Sequence, residues 1–524
     1  MSENILLSLL LFSPLLFFII ALLSAFPYFG TPNFLKKTTN TAALFYFLIS
    51  IYSAVLVFQN GLMQTDFIGY NSIGISFRLD SIAACMFVMV GFLSYVIVKF
   101  SNNYLDGDKN QGLFFARLAA TIGAVQLLII SGNIGILFIS WVLTSVFLNK
   151  LLLYYPDRVL AKIAAHKKFI VARLADLALF VGLALLYDTF KTGNLEELFQ
   201  QTKPLAISQM TPLTIGCAAC LLVIAALFKS AQFPTHGWLT EVMETPTPVS
   251  ALLHAGLLNA GPFLVIRMAF IIETSQVASI LLIVIGGFTA LFASSVYLTQ
   301  TSIKTALAYS SVAHMGFSLF LCGIGFYSAA MLHMVAHSFY KAHAFLSSGN
   351  LFENDPKKNN TKIDRSLTQI ILVYLSCLAL ITVLLESIKT NYQASTAVLI
   401  LTGIVLLGLS KLILDAFIRK HSIQLIFITA ITAGFIWIAF HYGEFFAQTI
   451  FADDLPIATA LNWMQIIAAT LILSGFVAAV FFQSITPLLQ KNENFIRFSV
   501  HLKNGFYTNT VFDKLVGALN STKN

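Results

Sequence analysis

Apolar runs long enough to cross a lipid bilayer recur along the whole chain, and they restrict its possible folds more than any other feature. A spanning helix needs about 20 mainly apolar residues to cross roughly 30 Å of hydrocarbon. Such runs must fold as helices because backbone polar groups find no water inside the bilayer. With 58% hydrophobic and only 10% charged residues, the chain cannot cover one soluble surface. The sequence therefore predicts an all-α polytopic membrane protein.

Fifteen candidate spans are predicted, and the first is expected to be a retained helix because it lacks the basic n-region of a signal peptide. They cover residues 5–27, 41–59, 82–100, 113–131, 133–154, 168–187, 212–229, 248–272, 277–299, 305–325, 327–350, 367–388, 395–417, 424–441 and 461–484.

Lysine and arginine residues concentrate in alternate loops, which indicates the orientation of the chain. Positive residues follow the odd-numbered spans, at Lys36–Lys37, 158–168, 357–365 and 419–420, whereas loops 188–203 and 444–454 carry fewer. Because positive loops stay in the cytoplasm, the N-terminus is predicted outside and the C-terminal tail inside. The net charge of +8 is explained by this bias and does not indicate nucleic-acid binding.

The chain divides into four parts on the basis of this pattern. These are N-terminal helices (1–80), a core (81–350), C-terminal helices (351–490) and an amphipathic tail (491–524) expected to lie on membrane lipid. Broken helices are predicted after Lys229, at Pro234, Pro246 and Pro248, and again around residues 302–316. Discontinuous helices at corresponding points of two halves are typical of transporters.

Ionisable side chains inside the spans are the candidate functional residues, because each is costly in hydrocarbon unless it meets water or a partner. Lys229 ends one span just before Pro234, and it is either a proton-relay group or a lysine that reaches back to water. His254 lies in the next span, where an imidazole can exchange protons near neutral pH. The alternative is a core histidine bonded to a backbone carbonyl.

A second set of ionisable residues shares one helix face. His333, His337 and Lys341 recur every four residues, which stacks them along a predicted helix. We interpret this stripe as part of a wet polar axis, with His314 and Lys304 on the preceding helix as neighbours.

Two further pairs of polar or ionisable side chains lie within the predicted spans. Arg173 and Asp176 form an i, i+3 pair that either satisfies itself or acts on Lys229. Cys217 and Cys220 form a CxxC inside a span, without His or Asp at metal-ligand spacing, so no metal site is predicted on this chain.

Six segments resemble the antiporter-like subunits of respiratory complex I and of Mrp-type cation antiporters, over residues 75 to 350. The resemblance implies about fourteen helices with two inverted five-helix repeats and a chain of ionisable residues across the membrane centre. It also implies that Lys229 is the central relay lysine, that His254 links it onward, and that Lys341 lies further along. The segments are Phe77-Arg-Leu-Asp-Ser81, Lys168-Phe-Ile-Val-Ala-Arg173-Leu-Ala-Asp176, Phe228-Lys-Ser-Ala-Gln-Phe-Pro234-Thr-His-Gly-Trp-Leu239, Thr245-Pro-Thr-Pro-Val-Ser-Ala-Leu-Leu-His254-Ala-Gly256, Lys304-Thr-Ala-Leu-Ala-Tyr-Ser-Ser311 and His337-Ser-Phe-Tyr-Lys341-Ala.

The chain also departs from that family pattern. Proton-pumping members carry a Trp-Glu pair in the fifth span, and here Trp141 is followed by Val142. The carboxylate partner of the central lysine is therefore lost or reassigned to Asp176. A later lysine motif of the large complex I subunit has no clear counterpart, although Lys411 is a possible substitute.

These departures, the short chain and the ending His501-Leu-Lys-Asn-Gly-Phe-Tyr507 resemble the membrane subunits of DAB-type inorganic-carbon pumps. The resemblance implies a bacterial inner-membrane subunit without a cofactor of its own. It would conduct protons or sodium ions to drive CO2 hydration and bicarbonate accumulation by a large cytoplasmic carbonic-anhydrase-like zinc protein (DabA-type). The chain would then be a transport subunit, not an enzyme, with the zinc on its partner.

Two alternatives remain open from the sequence. One is a proton-translocating subunit of a complex I-like NADH dehydrogenase or an Mrp-type Na+/H+ antiporter, against which Val142 argues. The other is a passive anchor for a soluble enzyme, which would have no reason to keep Lys229, His254 and the histidine stripe in its spans.

Overall fold

The computed structural model describes residues 7–8, 11–208, 211–348, 396–418, 423–457, 460–489 and 491–517. The predicted span 367–388 and the positive loops at 357–365 and 419–420 lie outside the described residues. The helices, in chain order, are α1 (Phe12–Leu23), α2 (Pro32–Asn60), α3 (Ser81–Tyr104), α4 (Gln111–Ile129), α5 (Ile134–Leu152), α6 (Val159–Phe190), α7 (Leu195–Ser208), α8 (Leu213–Lys229), α9 (Gly237–Thr240), α10 (Thr247–Ala255), α11 (Ala260–Arg267), α12 (Ala269–Ile272), α13 (Gln276–Leu281), α14 (Gly287–Tyr297), α15 (Ile303–Gly323), α16 (Tyr327–Leu346), α17 (Thr396–Ile418), α18 (Ile423–Ile450), α19 (Trp463–Leu489), α20 (Glu493–Lys503) and α21 (Thr508–Leu515).

The prediction of an all-α polytopic membrane protein is confirmed. Within the described residues, nine helical segments are long and apolar enough to cross a membrane, and three shorter apolar helices accompany them. Every predicted span other than 367–388 coincides with a helical segment. Agreement is close because a spanning helix is specified by local hydrophobicity, which does not depend on its neighbours.

Two ends of the helix bundle are recognisable from contacts between connecting segments. We call the end formed by residues 61–80, 130–133, 191–208 and 211–212 the hairpin face. It carries two short antiparallel strand pairs that the sequence did not predict. The hairpin of β2 (Ile68–Tyr70) and β3 (Ile73–Ile75) lies in the chain between the paired strands β1 (Met63–Gln64) and β4 (Arg78–Leu79).

The opposite end, which we call the tail face, is formed by residues 105–110, 153–158 and the tail 491–517. There the Tyr154 and Tyr155 hydroxyls donate to the two carboxylate oxygens of Asp108, at 2.9 and 3.0 Å. Burial alone would raise the pKa of Asp108, but the backbone N–H of Asn110 and these two hydroxyls lower it.

A buried ion network ties the hairpin face together. Asp80 caps α3 by accepting from the Ala83 N–H at 2.8 Å, and it pairs with Arg78 and with Arg267 at the end of α11. Arg78 also pairs with Glu196 on α7 and lies 3.7 Å from Asp454, beyond α18. The network therefore joins four helices and the hairpin through two arginines that are almost completely buried.

The broken helix after Lys229 differs in detail from the prediction. Pro234 lies in the non-helical segment that follows α8, but Pro246 and Pro248 begin α10 and do not interrupt a helix. Proline is tolerated there because the first turn of a helix needs no N–H donors. The interruption lies further on, at a 3-10 turn over Leu257–Asn259 that separates α10 from α11.

The second predicted break, around residues 302–316, is wrong. These residues belong to the continuous helix α15, whose N-terminus is capped by Ser302. The segment contains no proline, so its backbone ladder is uninterrupted, and the polar residues that suggested a break lie along an intact helix.

Two segments predicted as loops are also helical. Lys167 and Lys168 lie inside the 32-residue helix α6 and are buried, and Glu444 lies inside α18. Hydropathy placed Lys167 and Glu444 outside the predicted spans, and Lys168 at the first position of one, because each is charged. Their burial depends on partners from other helices, which hydropathy cannot register.

Candidate functional site

The Lys229 side chain is anchored by three oxygen atoms of one neighbouring helix, α5. Its ammonium donates to the Trp141 carbonyl at 2.9 Å, to the Thr144 hydroxyl at 2.9 Å and to the Ser145 hydroxyl at 2.6 Å. The nitrogen also lies 4.3 Å from the centroid of the Trp141 ring, a distance at which the ring face attracts a cation. Lys229 therefore points into the bundle instead of reaching back to water.

These contacts explain how the chain manages without a carboxylate at position 142. Val142 packs against the core, and the α5 residues that meet Lys229 are all neutral acceptors. A buried ammonium with three acceptors has its protons satisfied even though no opposite charge touches it. Sequence reasoning expected a lost or reassigned partner, and the structure supplies hydrogen bonds from the next turn of the same helix.

The nearest carboxylate is Asp176 on α6. It forms an ion pair with Arg173, with 2.7 Å between nitrogen and oxygen, and it also interacts electrostatically with Lys229 and Lys168. Asp176 is buried, whereas Arg173 is 38% exposed. Both roles considered for this pair are therefore present. Asp176 forms a local ion pair with Arg173, and it also interacts electrostatically with Lys229.

Lys168 is a further buried lysine beside this cluster, and sequence reasoning missed it. Its ammonium donates to the Ser145 carbonyl, while the hydroxyl of the same serine accepts from Lys229. A cavity of about 20 Å³, room for one water molecule, is lined by Lys229, Lys168, Thr144 and Ser145. We call these four residues, with Asp176, the Lys229 cluster.

Close packing between α11 and the end of α8 holds Lys229 in place. Gly261, in the first turn of α11, approaches α8 so tightly that a β-carbon would lie 2.5 Å from the Ala226 carbonyl oxygen. The same β-carbon would lie 2.8 Å from the Ser230 hydroxyl. Glycine is therefore required at this crossing.

A second group of ionisable residues lies between α10, α15 and α16. His254 is fully buried and stacks on Phe345, with ring centroids 4.3 Å apart, and neither ring nitrogen has a hydrogen-bond partner. Lys341 is also fully buried and donates to the Leu307 carbonyl at 3.0 Å. His254, Lys341 and His337 lie close enough to interact electrostatically.

Three histidines continue from this point along α15 and α16. His314 Nδ1 lies 3.2 Å from His333 Nε2, so one of these rings donates to the other. The ring of His337 lies 4.9 Å from that of His314. The stripe predicted from the i, i+4, i+8 spacing is thus brought together with His314, as expected. We call His254, His314, His333, His337 and Lys341 the histidine cluster.

Lys304 does not belong to this cluster. It lies in the first turn of α15, ten residues before His314 and therefore about 15 Å from it along the helix axis. The sequence reading placed the two together because it assigned them to one helix without considering the rise along that helix.

Two other buried charges were missed by the sequence reading. Glu444 on α18 accepts from Ser328 at 2.7 Å, beside the first turn of α16, and its other carboxylate oxygen is buried without a hydrogen bond. Lys167, the neighbour of Lys168, is completely buried and pairs with Glu241 and with Asp513 of the tail. The sequence does mark Glu444 and Lys167, because each is a charged residue inside or next to an apolar run.

The discontinuous helix joins the two clusters. Asn259, in the turn between α10 and α11, donates to the Ala255 carbonyl at 2.9 Å and to the Ser338 hydroxyl on α16 at 2.7 Å. The side-chain oxygen of Asn259 is buried without a hydrogen-bond partner. The interruption therefore supplies polar groups between the Lys229 cluster and the histidine cluster, where a continuous helix would present a satisfied backbone.

These groups can bind and release protons, but their arrangement does not resemble a metal site. Among the described residues, no group of three or more His, Cys, Asp or Glu side chains is placed to hold a metal ion. Both cysteines of the CxxC, Cys217 and Cys220, are free thiols on α8.

Comparison with known sequences agrees with this arrangement. Residues 131–435 match the family model described as NADH:quinone oxidoreductase/Mrp antiporter, transmembrane. Residues 67–115 match the model of the N-terminus of NADH-ubiquinone oxidoreductase (complex I) chain 5.

Among curated relatives, a probable inorganic carbon transporter subunit DabB of Hydrogenovibrio crunogenus is 39% identical over 310 residues, 57% of this chain and 59% of that protein. The probable subunit DabB2 of Halothiobacillus neapolitanus is 34% identical over 489 residues, 91% of this chain and 87% of that protein. NADH-quinone oxidoreductase subunit L of Rickettsia typhi is 30% identical over 352 residues, 65% of this chain and 54% of that protein.

Solved structures show the same fold at low sequence identity. A chain of the archaeal membrane-bound sulfane sulfur reductase superposes with a TM-score of 0.60 at 18% identity, covering 98% of this chain and 99% of that one. A chain of the Mrp complex from Dietzia gives a TM-score of 0.58 at 19% identity, covering 98% and 57%. Sequence and fold together show that this multi-pass membrane protein belongs to the NADH:quinone oxidoreductase/Mrp antiporter family.

Proposed function

We propose that the chain is the membrane subunit of an energy-coupled inorganic-carbon pump, in which proton or sodium-ion flow drives CO2 hydration or bicarbonate accumulation. The observation that carries this proposal is the Lys229 cluster, in which a half-buried lysine has its ammonium held by neutral oxygens beside Asp176. Similarity over 91% of the chain to a probable inorganic carbon transporter subunit supports the choice of substrate.

The cluster suits ion transfer because its charge can change without leaving unpaired groups. When Lys229 is protonated, three acceptors and an aromatic ring stabilise the ammonium. When it is neutral, Thr144 still donates to the Trp141 carbonyl at 2.7 Å. Both states are therefore accessible, and the Coulomb interaction with Asp176 links the choice between them to the charge on α6.

Transfer onward would use the histidine cluster. A proton that leaves Lys229 passes the polar turn at Asn259 and reaches His254 and Lys341. His314, His333 and His337 then offer successive imidazoles, whose ring nitrogens can bind a proton and pass it on. Lys229, His254 and Lys341 take the roles in this route that the family resemblance implies.

Coupling requires a partner, and we propose that it binds on the tail face. In this arrangement the membrane is the bacterial inner membrane, and the tail face is cytoplasmic. The partner is a large carbonic-anhydrase-like zinc protein that carries the catalytic metal, while the present chain carries no cofactor. A change of charge at Lys229 would bias the discontinuous helix between two states that differ at the partner interface.

The proposal is tested by returning the gene, with that of its partner, to a bacterium that lacks other carbon-uptake systems. We expect growth in air to be restored and to be abolished by a protonophore or, for sodium coupling, by a sodium ionophore. Purification of the tagged chain in mild detergent should bring down a soluble zinc protein. Recovery of respiratory or antiporter subunits instead would refute the proposal, and growth indifferent to both ionophores would identify a passive anchor.

A further inference from the structure

The tail folds back onto the protein beside α9 and the N-terminal part of α15. Gly505, Phe506 and Tyr507 have φ values of 56°, 49° and 60°, a run of left-handed residues that turns the chain between α20 and α21. Such conformations are costly for residues other than glycine and persist only where the surroundings hold them. At this turn Gly505 lies against the Tyr309 hydroxyl, 3.3 Å from where its β-carbon would be.

Specific contacts hold both tail helices in this position. The Gln300 side chain donates to the Lys503 carbonyl at 3.0 Å, at the end of α20. Asn509, in α21, donates to the Thr240 hydroxyl at 3.3 Å. Its side-chain oxygen occupies the place that a β-carbon on Gly237 would fill, so the absence of a side chain in α9 makes room for the tail.

The tail also contributes a carboxylate to a buried lysine. Lys167 on α6 has no exposed side-chain surface, and its ammonium contacts Glu241, just beyond α9, and Asp513 in α21. The two carboxylates are 26% and 15% exposed, so they lie between the buried lysine and the surface of the tail face. We call these three residues the tail-face triad.

The charge of the triad favours the binding of one proton. One ammonium and two carboxylates sum to a net charge of −1, which is unfavourable in a partly buried site and is removed when one proton binds. Burial, the largest effect, raises the pKa of Glu241, Lys167 lowers it, and the nearby Asp513 charge raises it. The net direction is upward, so this acid holds a proton more readily than an exposed glutamate.

The triad also adjoins the Lys229 cluster. Lys168, the residue that follows Lys167 in α6, donates to the Ser145 carbonyl, and the Ser145 hydroxyl accepts from Lys229. Lys168 interacts electrostatically with Lys229. Lys167 and Lys168 project from different sides of α6. Trp238 of α9, three residues before Glu241, lines the cavity beside Lys229, so α6 and α9 connect the triad with the Lys229 cluster.

We propose that Asp513, supplied by the tail, forms with Glu241 and Lys167 the proton-exchange site through which the Lys229 cluster communicates with the tail face. The tail is then part of the transport path as well as a surface for a partner. This inference rests on the proposed transport function. Because a proton is bound and released at a carboxylate, no other reactant is consumed.

The test compares uptake of labelled inorganic carbon in cells that carry the complete transport system. Asp513→Asn should reduce uptake by about 100-fold at an unchanged membrane level of the protein, the low end for loss of a proton-transferring side chain. Asp513→Glu should restore most of it. Glu493→Gln removes a tail carboxylate that is 86% exposed, and as the matched control it should leave uptake unchanged.

A second variant separates a transport role from a structural ion pair. If the triad is only a structural ion cluster, Lys167→Gln combined with Glu241→Gln and Asp513→Asn should restore uptake, because no charge is left unpaired. We expect this triple variant to stay inactive, and recovery would overturn the proposal. If Asp513→Asn does not accumulate in the membrane, the triple variant and Glu241→Gln provide the same decision.

Position and function of the tail can be checked separately. In isolated membranes treated with a thiol oxidant such as copper phenanthroline, a disulfide between Thr240→Cys and Asn509→Cys should form readily, since these side chains are in contact. Its absence would show that the tail does not occupy this place and would refute the proposal. Wild-type uptake by Asp513→Asn would also refute it, and loss of uptake in Lys229→Met measured alongside would show that the proposed function itself still stands.

Discussion

Replacing Lys229 by methionine should separate function from stability, because opposing contributions to the folded state nearly cancel. A charged side chain near the centre of a bilayer costs about 3 kcal/mol. The three hydrogen bonds to α5, at about 1 kcal/mol each, offset about the same amount. Methionine has a similar length and a flexible side chain, so it can fill the same space.

The polar groups that Lys229 leaves behind keep partners. Thr144 already donates to the Trp141 carbonyl at 2.7 Å, and a serine hydroxyl on a helix can bond to a carbonyl one turn earlier. The unfolding free energy of Lys229→Met should therefore lie within about 1 kcal/mol of that of the wild type. Carbon uptake should fall by about 100-fold or more, since the proton-carrying group is gone.

The measurement pairs thermal denaturation in detergent with uptake of labelled inorganic carbon by cells. Lys203→Met is the matched control, because Lys203 is an exposed lysine that lies 4.6 Å from the Phe270 ring, at the hairpin face. It should change neither quantity. A loss of more than about 3 kcal/mol in Lys229→Met would show that the hydrogen bonds outweigh the cost of the buried charge, and retained uptake would exclude Lys229 from the transport path.

Further predictions concern the surroundings of the site. Asp80→Ala should lower the free energy of unfolding by about 3–5 kcal/mol, because two buried arginines lose their shared carboxylate. Asp106→Ala, which breaks an exposed ion pair with Lys36, should lower it by less than about 1 kcal/mol. Denaturation midpoints of the two variants check both values. Burial would raise the pKa of Asp80, but the arginines hold it well below its usual range, so its contribution is present above about pH 4 and the penalty should be equal at pH 5 and 8. Gly261→Ala should lower the free energy of unfolding by about 1–3 kcal/mol through a clash with the Ala226 carbonyl, and no change would show that α11 can move away. Asp176→Asn should reduce uptake while Asp176→Glu retains it, and equal uptake in both variants would remove this carboxylate from the path.

The two clusters differ in how far the sequence alone could locate them. The histidine stripe on α16 was predictable because its members lie on one helix and the four-residue spacing fixes their relative positions. Its proximity to His314 could be expected because His314 lies on the preceding helix of the chain, α15. Lys304 was misplaced because membership of a helix does not specify depth along it.

The Lys229 cluster required the fold. Sequence reasoning singled out Lys229 and suggested Asp176, but the oxygens that hold the ammonium come from α5, 84 to 88 residues earlier in the chain. Threonine and serine hydroxyls are common in membrane helices, so Thr144 and Ser145 carried no signal of their own. The tail-face triad is more remote still, since it joins α6 to a segment beyond the last span.

The sequence by itself determined the class of the protein, the positions of its membrane helices and the identity of part of its costly ionisable residues, Lys229, His254 and Lys341 among them. These properties are local, because hydrophobic length specifies a span and an ionisable residue in hydrocarbon is informative wherever it occurs. Tertiary structure alone decided the partners of each charge. It placed neutral oxygens where the family has a glutamate, located the helix interruption at Asn259, and brought Asp513 to Lys167, because such contacts depend on helices that are distant in sequence and adjacent in space.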